Sequence, residues 1–358
     1  MRQLCSTLRR DFDADVDVVT LNRTFADGAS HPEHAIVDGV PVRRIAYHGS
    51  QRYPIAPAFL QATAGADLLH VHAIDFFFDG LALARPFRGQ PMVASTHGGF
   101  FHTAFAAQLK QVYFATVTRA AARAYDVIGA SSVADAERFR PIAGDRVKVI
   151  ENGVDIGKWA NAGSPDFAPV LIAIGRWSSN KQMEALFPLL AALRRQGPDW
   201  RLLIAGNPHD VTRADLEGWS VAAGVANAVE IHQGPADTEL HALIGRASFL
   251  VSLSRYEGFG LSVVEGLSAG LVPVLSDIAN YRLFVERAGL GTIVPADAAA
   301  ASTAVGALAA AVAADPASAR ARAMAAASRY EWRAVAARWA DVYADVLGRH
   351  RSPTRAAA

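Results

Sequence analysis

Two doubly wound α/β domains are what this sequence predicts, and three observations carry that expectation. From Val170 onward, short β-rich runs ending in Gly, Asn, Ser or Arg alternate with longer segments of helical periodicity. The same alternation runs through the first half, and a stretch rich in Gly, Asn, Ser and Pro separates the two series. The length, 358 residues, exceeds the size at which a single core usually divides.

In the first half the strand-like runs are VDVVTLN, VPVRRIAY, LLHVHAI, PMVASTHGG, DVIGASS and VKVIENGVD. In the second they are VLIAIGRW, WRLLIAGN, VEIHQG, SFLVSLSR, VPVLSD and GTIVP. Apolar runs without polar alternation indicate strands covered on both faces, as in parallel sheets flanked by helices. The stretch ENGVDIGKWANAGSPDF puts the boundary near Ile156 to Asp166. This gives an N-terminal domain over 1–157 and a second domain over 158–329, and a cleft between such domains is the default ligand site. An alanine-dominated stretch broken by Pro316 reads as a surface helix pair. Beyond it, 330–358 reads as a closing helix with a tail, and Trp332, Val335, Trp339, Val342 and Val346 mark one helix face. Domains of this class open with a central strand and a Gly-rich turn, whereas Met1 already lies in helix-like sequence. The expectation is therefore a genuine start upstream by about one βα unit, and lower stability and activity for the chain from Met1.

Composition narrows the function. Lys and Arg nearly balance Asp and Glu, for a net charge of +1, so no nucleic-acid partner is expected. The single cysteine, Cys5, excludes an internal disulfide framework and a cysteine zinc site, and no signal-like segment opens the chain. A cytoplasmic location is expected. Charges or turn residues interrupt every apolar stretch before the roughly 20 residues that a spanning helix needs.

In an open α/β sheet, ligands bind outside the carboxyl ends of the strands. GRWSSNK puts Gly175 and Arg176 at a strand end and Lys181 at the entry to a predicted helix, two cations suited to a diphosphate. RYEGFGLSVVEGLSAG carries Glu257 and Glu265, with Gly258, Phe259, Gly260 and Leu261 between them. Its backbone N–H groups can meet an oxyanion, and an ionised carboxylate accepts two hydrogen bonds from a vicinal diol, so Glu265 suits a ribose and Glu257 a hexose. Two solvated cations and a solvated acid remain the plain alternative. His97 ends a strand before two glycines and is a candidate for hydrogen-bonding a ligand at that strand end. His72, which alternates with apolar residues alongside His70, and His102 are weaker candidates for lining an acceptor. No His, Cys, Asp and Glu spacing suggests a metal, and none is expected. The segment from Phe100 to Tyr125, with Lys110, Arg119 and Arg123, reads as a basic amphipathic helix able to rest on the inner leaflet of a membrane, or as an ordinary core-facing helix.

The segment Glu257 to Glu265, GRWSSNK, ENGVD and STHGG together resemble the retaining glycosyltransferases of glycosyltransferase family 4, which have the GT-B fold. The resemblance implies that Arg176 and Lys181 hold the donor diphosphate and that Glu265 holds the ribose. It assigns the donor sugar to Glu257 and the backbone of 258–261, and puts His97 at the strand-end histidine position. Within the family, PVRRIAYHGSQRYPIAPAFL, HAIDFFFDGLALARP, STHGGFFHTAFAAQLKQVYFATVTR and SRYEGFGLSVVEGLSAGLVPVLSDI resemble members that use GDP-mannose and a cellobiosyl-diphosphopolyprenol. That likeness implies a metal-independent α-mannosyltransferase of exopolysaccharide biosynthesis, with a nucleotide sugar and a lipid-linked oligosaccharide as substrates and no cofactor. Two rivals stay open: another enzyme on the same fold, a phosphorylase or an epimerase, and a catalytically silent sugar-binding partner of a polysaccharide assembly complex.

Overall fold

The computed structural model describes residues 1–25, 27–50, 53–97 and 107–351. The chain divides into two compact units, Met1–Gly153 with Trp332–Ala358, and Val154–Glu331.

The first unit holds β1 (Val18–Leu21), β2 (His34–Val37), β3 (Val40–Ile45), β4 (His48–Ser50) and β5 (Tyr53–Ile55). After these come β6 (Leu69–His72), β7 (Met92–Ser95), β8 (Val127–Ala130) and β9 (Val147–Val149). The last four form a parallel sheet in the order β6-β7-β8-β9, while β1-β3-β2 form a separate sheet among the described residues. The first half is thus not one continuous sheet. Asp38 and Gly39 both have positive φ, the geometry of a two-residue hairpin turn, so β2 folds back antiparallel on β3 while β1 joins β3 in parallel. All four residues of β7 and of β8 are buried, which explains their unbroken apolar character. The helix Trp332–Arg351 buries Val335, Trp339, Val342 and Val346 in one cluster with Leu4, Leu8, Val93 and Val127, and Trp332 packs partly buried against it.

In the segment expected to form one basic helix, Phe100–Ala106 lie outside the described residues. The remainder is divided into a helix over Ala107–Tyr113, a π-turn over Phe114–Thr118 and a last turn over Arg119–Ala122. The inserted π-turn shifts the phase of the apolar face, and Val112 and Val117 are left exposed.

The second unit is built on β10 (Val170–Ile174), β11 (Arg201–Gly206), β12 (Val229–Gln233), β13 (Phe249–Ser252), β14 (Val272–Ser276) and β15 (Thr292–Val294). All are parallel, in the order β12-β11-β10-β13-β14-β15. The order reverses between β10 and β13, and at such a switch point the loops diverge and leave a crevice at the strands' carboxyl ends. The alanine-rich stretch forms two helices, Ala298–Ala314 and Pro316–Ala327, meeting at a sharp bend. Pro316 occupies the first turn, where no N–H is required, and the Asp315 side chain accepts from the Ser318 amide at 3.0 Å. Among the described residues no single helix is long and apolar enough to cross a membrane.

Candidate active site

The switch point of the second unit gathers the residues just beyond β10 and β13. Gly175 and Arg176 leave β10, and Arg176 is exposed without a hydrogen-bond or ion-pair partner among the described residues. Adjacent strand ends approach here so closely that a Cβ on Gly206 would lie 1.8 Å from the Gly175 carbonyl oxygen, so position 206 requires glycine. A small pocket lies between Gly175, Arg176, Lys181 and Ser252.

Lys181 stands in a 3₁₀ turn, Ser179–Lys181, and the helix expected to begin there starts at Leu186. Its Nζ lies 2.5 Å from Glu257 Oε1, and Ser254 Oγ donates to the same oxygen at 2.7 Å. The two side chains are only 20% and 16% exposed, so this charge pair is largely withdrawn from water. The turn and the loop are tied further: the Arg255 amide donates to the Asn180 carbonyl at 2.9 Å, and Asn180 Nδ2 donates to the Tyr256 carbonyl at 2.9 Å. Asn280 Nδ2 donates to the carbonyls of Glu257 and Gly258 at 2.7 and 3.2 Å, fixing the loop from the side of β14.

Gly260, with φ at 108°, caps the helix Leu261–Ser268 without any side-chain acceptor, so the first N–H groups of that helix stay available to an anion. Phe259 is buried against Phe284 and Tyr330 and anchors the loop, while Leu261 stays exposed. The Glu265 carboxylate, one turn into the helix, makes no hydrogen bond or ion pair among the described residues. Burial raises its carboxyl above the usual range and Lys158 works against that rise. The fold therefore brings Gly175, Arg176, Lys181, Glu257, Gly258, Phe259, Gly260, Leu261 and Glu265 to one sheet edge, with two cations, an uncapped helix start and a carboxylate lacking a partner among the described residues.

The histidines belong to the first unit. His72 ends β6, and His97 stands just after β7 in the left-handed region, with φ at 47°, a conformation that costs energy in a non-glycine residue. His72 Nδ1 and His97 Nε2 share a hydrogen bond at 2.9 Å, and the rings stack 18° from parallel. His70 bridges Tyr343 Oη at 2.6 Å and Ser95 Oγ at 2.8 Å and stacks on His72. Burial holds all three imidazoles below their ordinary value, His72 down to about 3, and a hydrogen bond with Asn152 opposes the effect at His97. Two neutral imidazoles can share one proton only in complementary tautomers, so His72 fixes which His97 nitrogen carries hydrogen. His102 lies outside the described residues. Among the described residues no group of three His, Cys, Asp or Glu side chains is placed to hold a metal ion.

Sequence reasoning did not find Ser254, Asn180, Asn280 or Tyr343. The first three stand at or soon after strand ends, and a search of every polar residue there would have included them; Tyr343 gives no local signal.

A chain of two Rossmann-like units whose second carries this Gly-rich, cation-and-carboxylate switch point is of the GT-B class of glycosyltransferases. The family profile described as Glycosyl transferases group 1 matches residues 160–326, and that of Glycosyltransferase Family 4 matches residues 1–158. The GDP-mannose:cellobiosyl-diphosphopolyprenol alpha-mannosyltransferase of Xanthomonas oryzae pv. oryzae is 44% identical over 336 residues, 93% of this chain and 88% of that protein. The enzyme of the same name from Komagataeibacter xylinus is 41% identical, over 97% of this chain and 88% of its own length. Among solved structures, a sucrose-phosphate synthase from Thermosynechococcus elongatus superposes with a TM-score of 0.71 at 20% identity, over 97% of this chain and 92% of that one. The chain belongs to glycosyltransferase family 4 and is a hexosyltransferase.

Proposed function

We propose that this chain transfers mannose from GDP-mannose, with retention of configuration, onto a cellobiosyl unit carried on a polyprenyl diphosphate. The observation that carries the reading is the switch-point cluster of Arg176, Lys181 and the uncapped helix start, which offers charge and free N–H groups where a diphosphate leaves. The identity to relatives bearing that activity supplies the choice of mannose and of the lipid-linked acceptor.

In this reading Arg176 and Lys181 bind the diphosphate and stabilise the charge that grows on it, and Glu265 accepts from the ribose diol. Glu257, together with the backbone of 258–261, holds the hexose. Its pairing with Lys181 gives it a second role, since binding of a diphosphate at Lys181 and release of the Glu257 carboxylate toward a sugar hydroxyl are then one exchange of partners. His97, held neutral, donates or accepts one hydrogen bond at the sugar or at the leaving phosphate. His72 lines the acceptor side. Following the family resemblance, the two acids serve as diol ligands and the acceptor hydroxyl attacks from the face of the departing phosphate, which takes its proton. The protein's own cations supply the electrostatic stabilisation, with no metal required. The exposed Val112, Val117, Arg119 and Arg123 support a seat on the cytoplasmic leaflet, where a polyprenyl acceptor resides.

The test is incubation of labelled GDP-mannose with polyprenyl-diphosphate cellobiose. A lipid-linked trisaccharide with an α-linked mannose is expected. Folded protein that binds GDP and yields no such product overturns the reading in favour of a silent sugar-binding partner.

A further inference from the structure

The first unit carries a second polar cavity, at the other end of its parallel sheet from His72 and His97. Arg123, Ala124, Tyr125 and Asp126 lead into β8, Arg146 immediately precedes β9, and Arg85 and Arg349 come from the last turns of the helices Phe76–Arg88 and Trp332–Arg351. Together they line an open polar recess of about 240 Å³.

The charges there do not cancel. Arg85 donates to the Ala124 carbonyl at 2.8 Å and to Asp126 at 3.1 Å. Arg146 donates to the carbonyls of Ala122 and Tyr125 at 2.7 and 3.1 Å, which pins the guanidinium without neutralising it. Arg349 shares Asp345 with Lys148, at 3.2 and 3.6 Å. The Arg123 guanidinium is exposed and has no hydrogen-bond or ion-pair partner among the described residues. Asp126, the one carboxylate in the lining, is already engaged by Arg85, by His350 at 2.9 Å and by the Met92 amide. Helix carboxyl ends add partial negative charge at this edge, and capping those carbonyls is what Arg85 and Arg146 do. Capping explains those two arginines, Arg349 shares one carboxylate with Lys148, and Arg123 is left unexplained.

We propose that this cavity binds a phosphate-bearing anion, held by the guanidinium forks of Arg123 and Arg349 against the fixed background of Arg85 and Arg146. A multiply charged anion matches an excess of several positive charges, and the planar fork matches its oxygens two at a time. Leu83 and Phe87, one turn apart on the helix that carries Arg85, are 79% and 90% exposed, so a lipid headgroup is one source of that phosphate and a soluble phosphoryl compound the other. The site does not rest on the transfer reaction proposed above.

The test is calorimetric titration of inorganic phosphate into the full chain carrying Arg176→Ala and Lys181→Ala, which silences the strand-end cations. Saturable binding is expected, weakened roughly tenfold or more by adding Arg123→Ala and Arg349→Ala, the scale of one charge-assisted hydrogen bond. Lysine at both positions, which keeps charge and loses the fork, should fall between. Both positions are exposed, and an unchanged melting temperature verifies folding. No saturable binding, or binding indifferent to Arg123 and Arg349, overturns the proposal. Sedimentation with vesicles of phosphatidylcholine, alone or with phosphatidylglycerol, then separates the sources. Loss of anionic-vesicle binding in the same variants and in Phe87→Ser assigns a lipid headgroup, and phosphate binding without any vesicle dependence assigns a soluble ligand.

Discussion

Lys181 Nζ and Glu257 Oε1 stand 2.5 Å apart at the switch point, and each is the other's counter-charge. An ion pair this sheltered is costly to break from one side, because the remaining charge keeps its desolvation penalty. Removing the lysine also deprives the leaving diphosphate of a donor. Lys181→Ala is expected to lower kcat/KM by roughly two to three orders of magnitude, the scale of one lost transition-state donor. A near-normal rate in the folded variant contradicts the assignment.

The opposite substitution separates binding from transfer. Glu257→Gln frees the Lys181 ammonium for phosphate and removes the hexose acceptor, so GDP should bind at least as tightly while kcat falls by roughly tenfold or more. Fluorescence titration with GDP and initial rates check the two halves. Weaker GDP binding with an unchanged kcat would show that Glu257 serves only to hold the loop.

The Glu265 carboxylate lacks a partner among the described residues, and the residue sits partly buried in the first turns of its helix. Glu265→Gln is expected to raise the dissociation constant for GDP by roughly tenfold, with a smaller change in kcat, because ribose contacts are similar in ground and transition states. Equal GDP affinities in variant and parent would remove Glu265 from the nucleotide site.

Much of this was legible in the chain itself. The strands of the second unit were readable because burial on both faces forbids polar alternation, as in VLIAI and FLVS, and the strand-end cluster because glycines and charges directly succeed those runs. β2 was missed although Asp38-Gly39, directly before VPVRRIAY, is a strong turn signal, since its four residues follow a polar run and are too short to stand out. The Lys181–Glu257 pair joins positions 76 apart, and no local pattern encodes which cation meets which acid. The same holds for Tyr343 with His70 and for the four arginines around Asp126, which only the packing of separate helices brings together.

Neutral buried histidines make stability depend on pH. An unfolded histidine takes up a proton as pH falls through its ordinary value of 6.5, whereas His72 in the fold resists protonation down to about 3. Native stability is therefore fully present above pH 6.5 and is lost progressively as pH falls toward 3. His72 alone contributes up to about 2 kcal/mol of that loss by pH 5. Melting temperatures across this range should fall less steeply for His72→Gln than for the parent chain. Parallel curves would show that His72 is not held neutral.

Transfer should continue in excess chelator, since cations of the protein are assigned the role of stabilising the leaving group. Loss of activity that manganese restores would contradict this.

The most direct test offers GDP-mannose, UDP-glucose and UDP-galactose in turn with the same polyprenyl-diphosphate cellobiose and tracks mass and anomeric configuration of the lipid-linked product. One α-linked mannose from GDP-mannose is expected, with at most trace transfer from the uridine donors. Preferred transfer from a uridine donor, or a β-linked product, would contradict the assignment of this chain as a retaining mannosyltransferase.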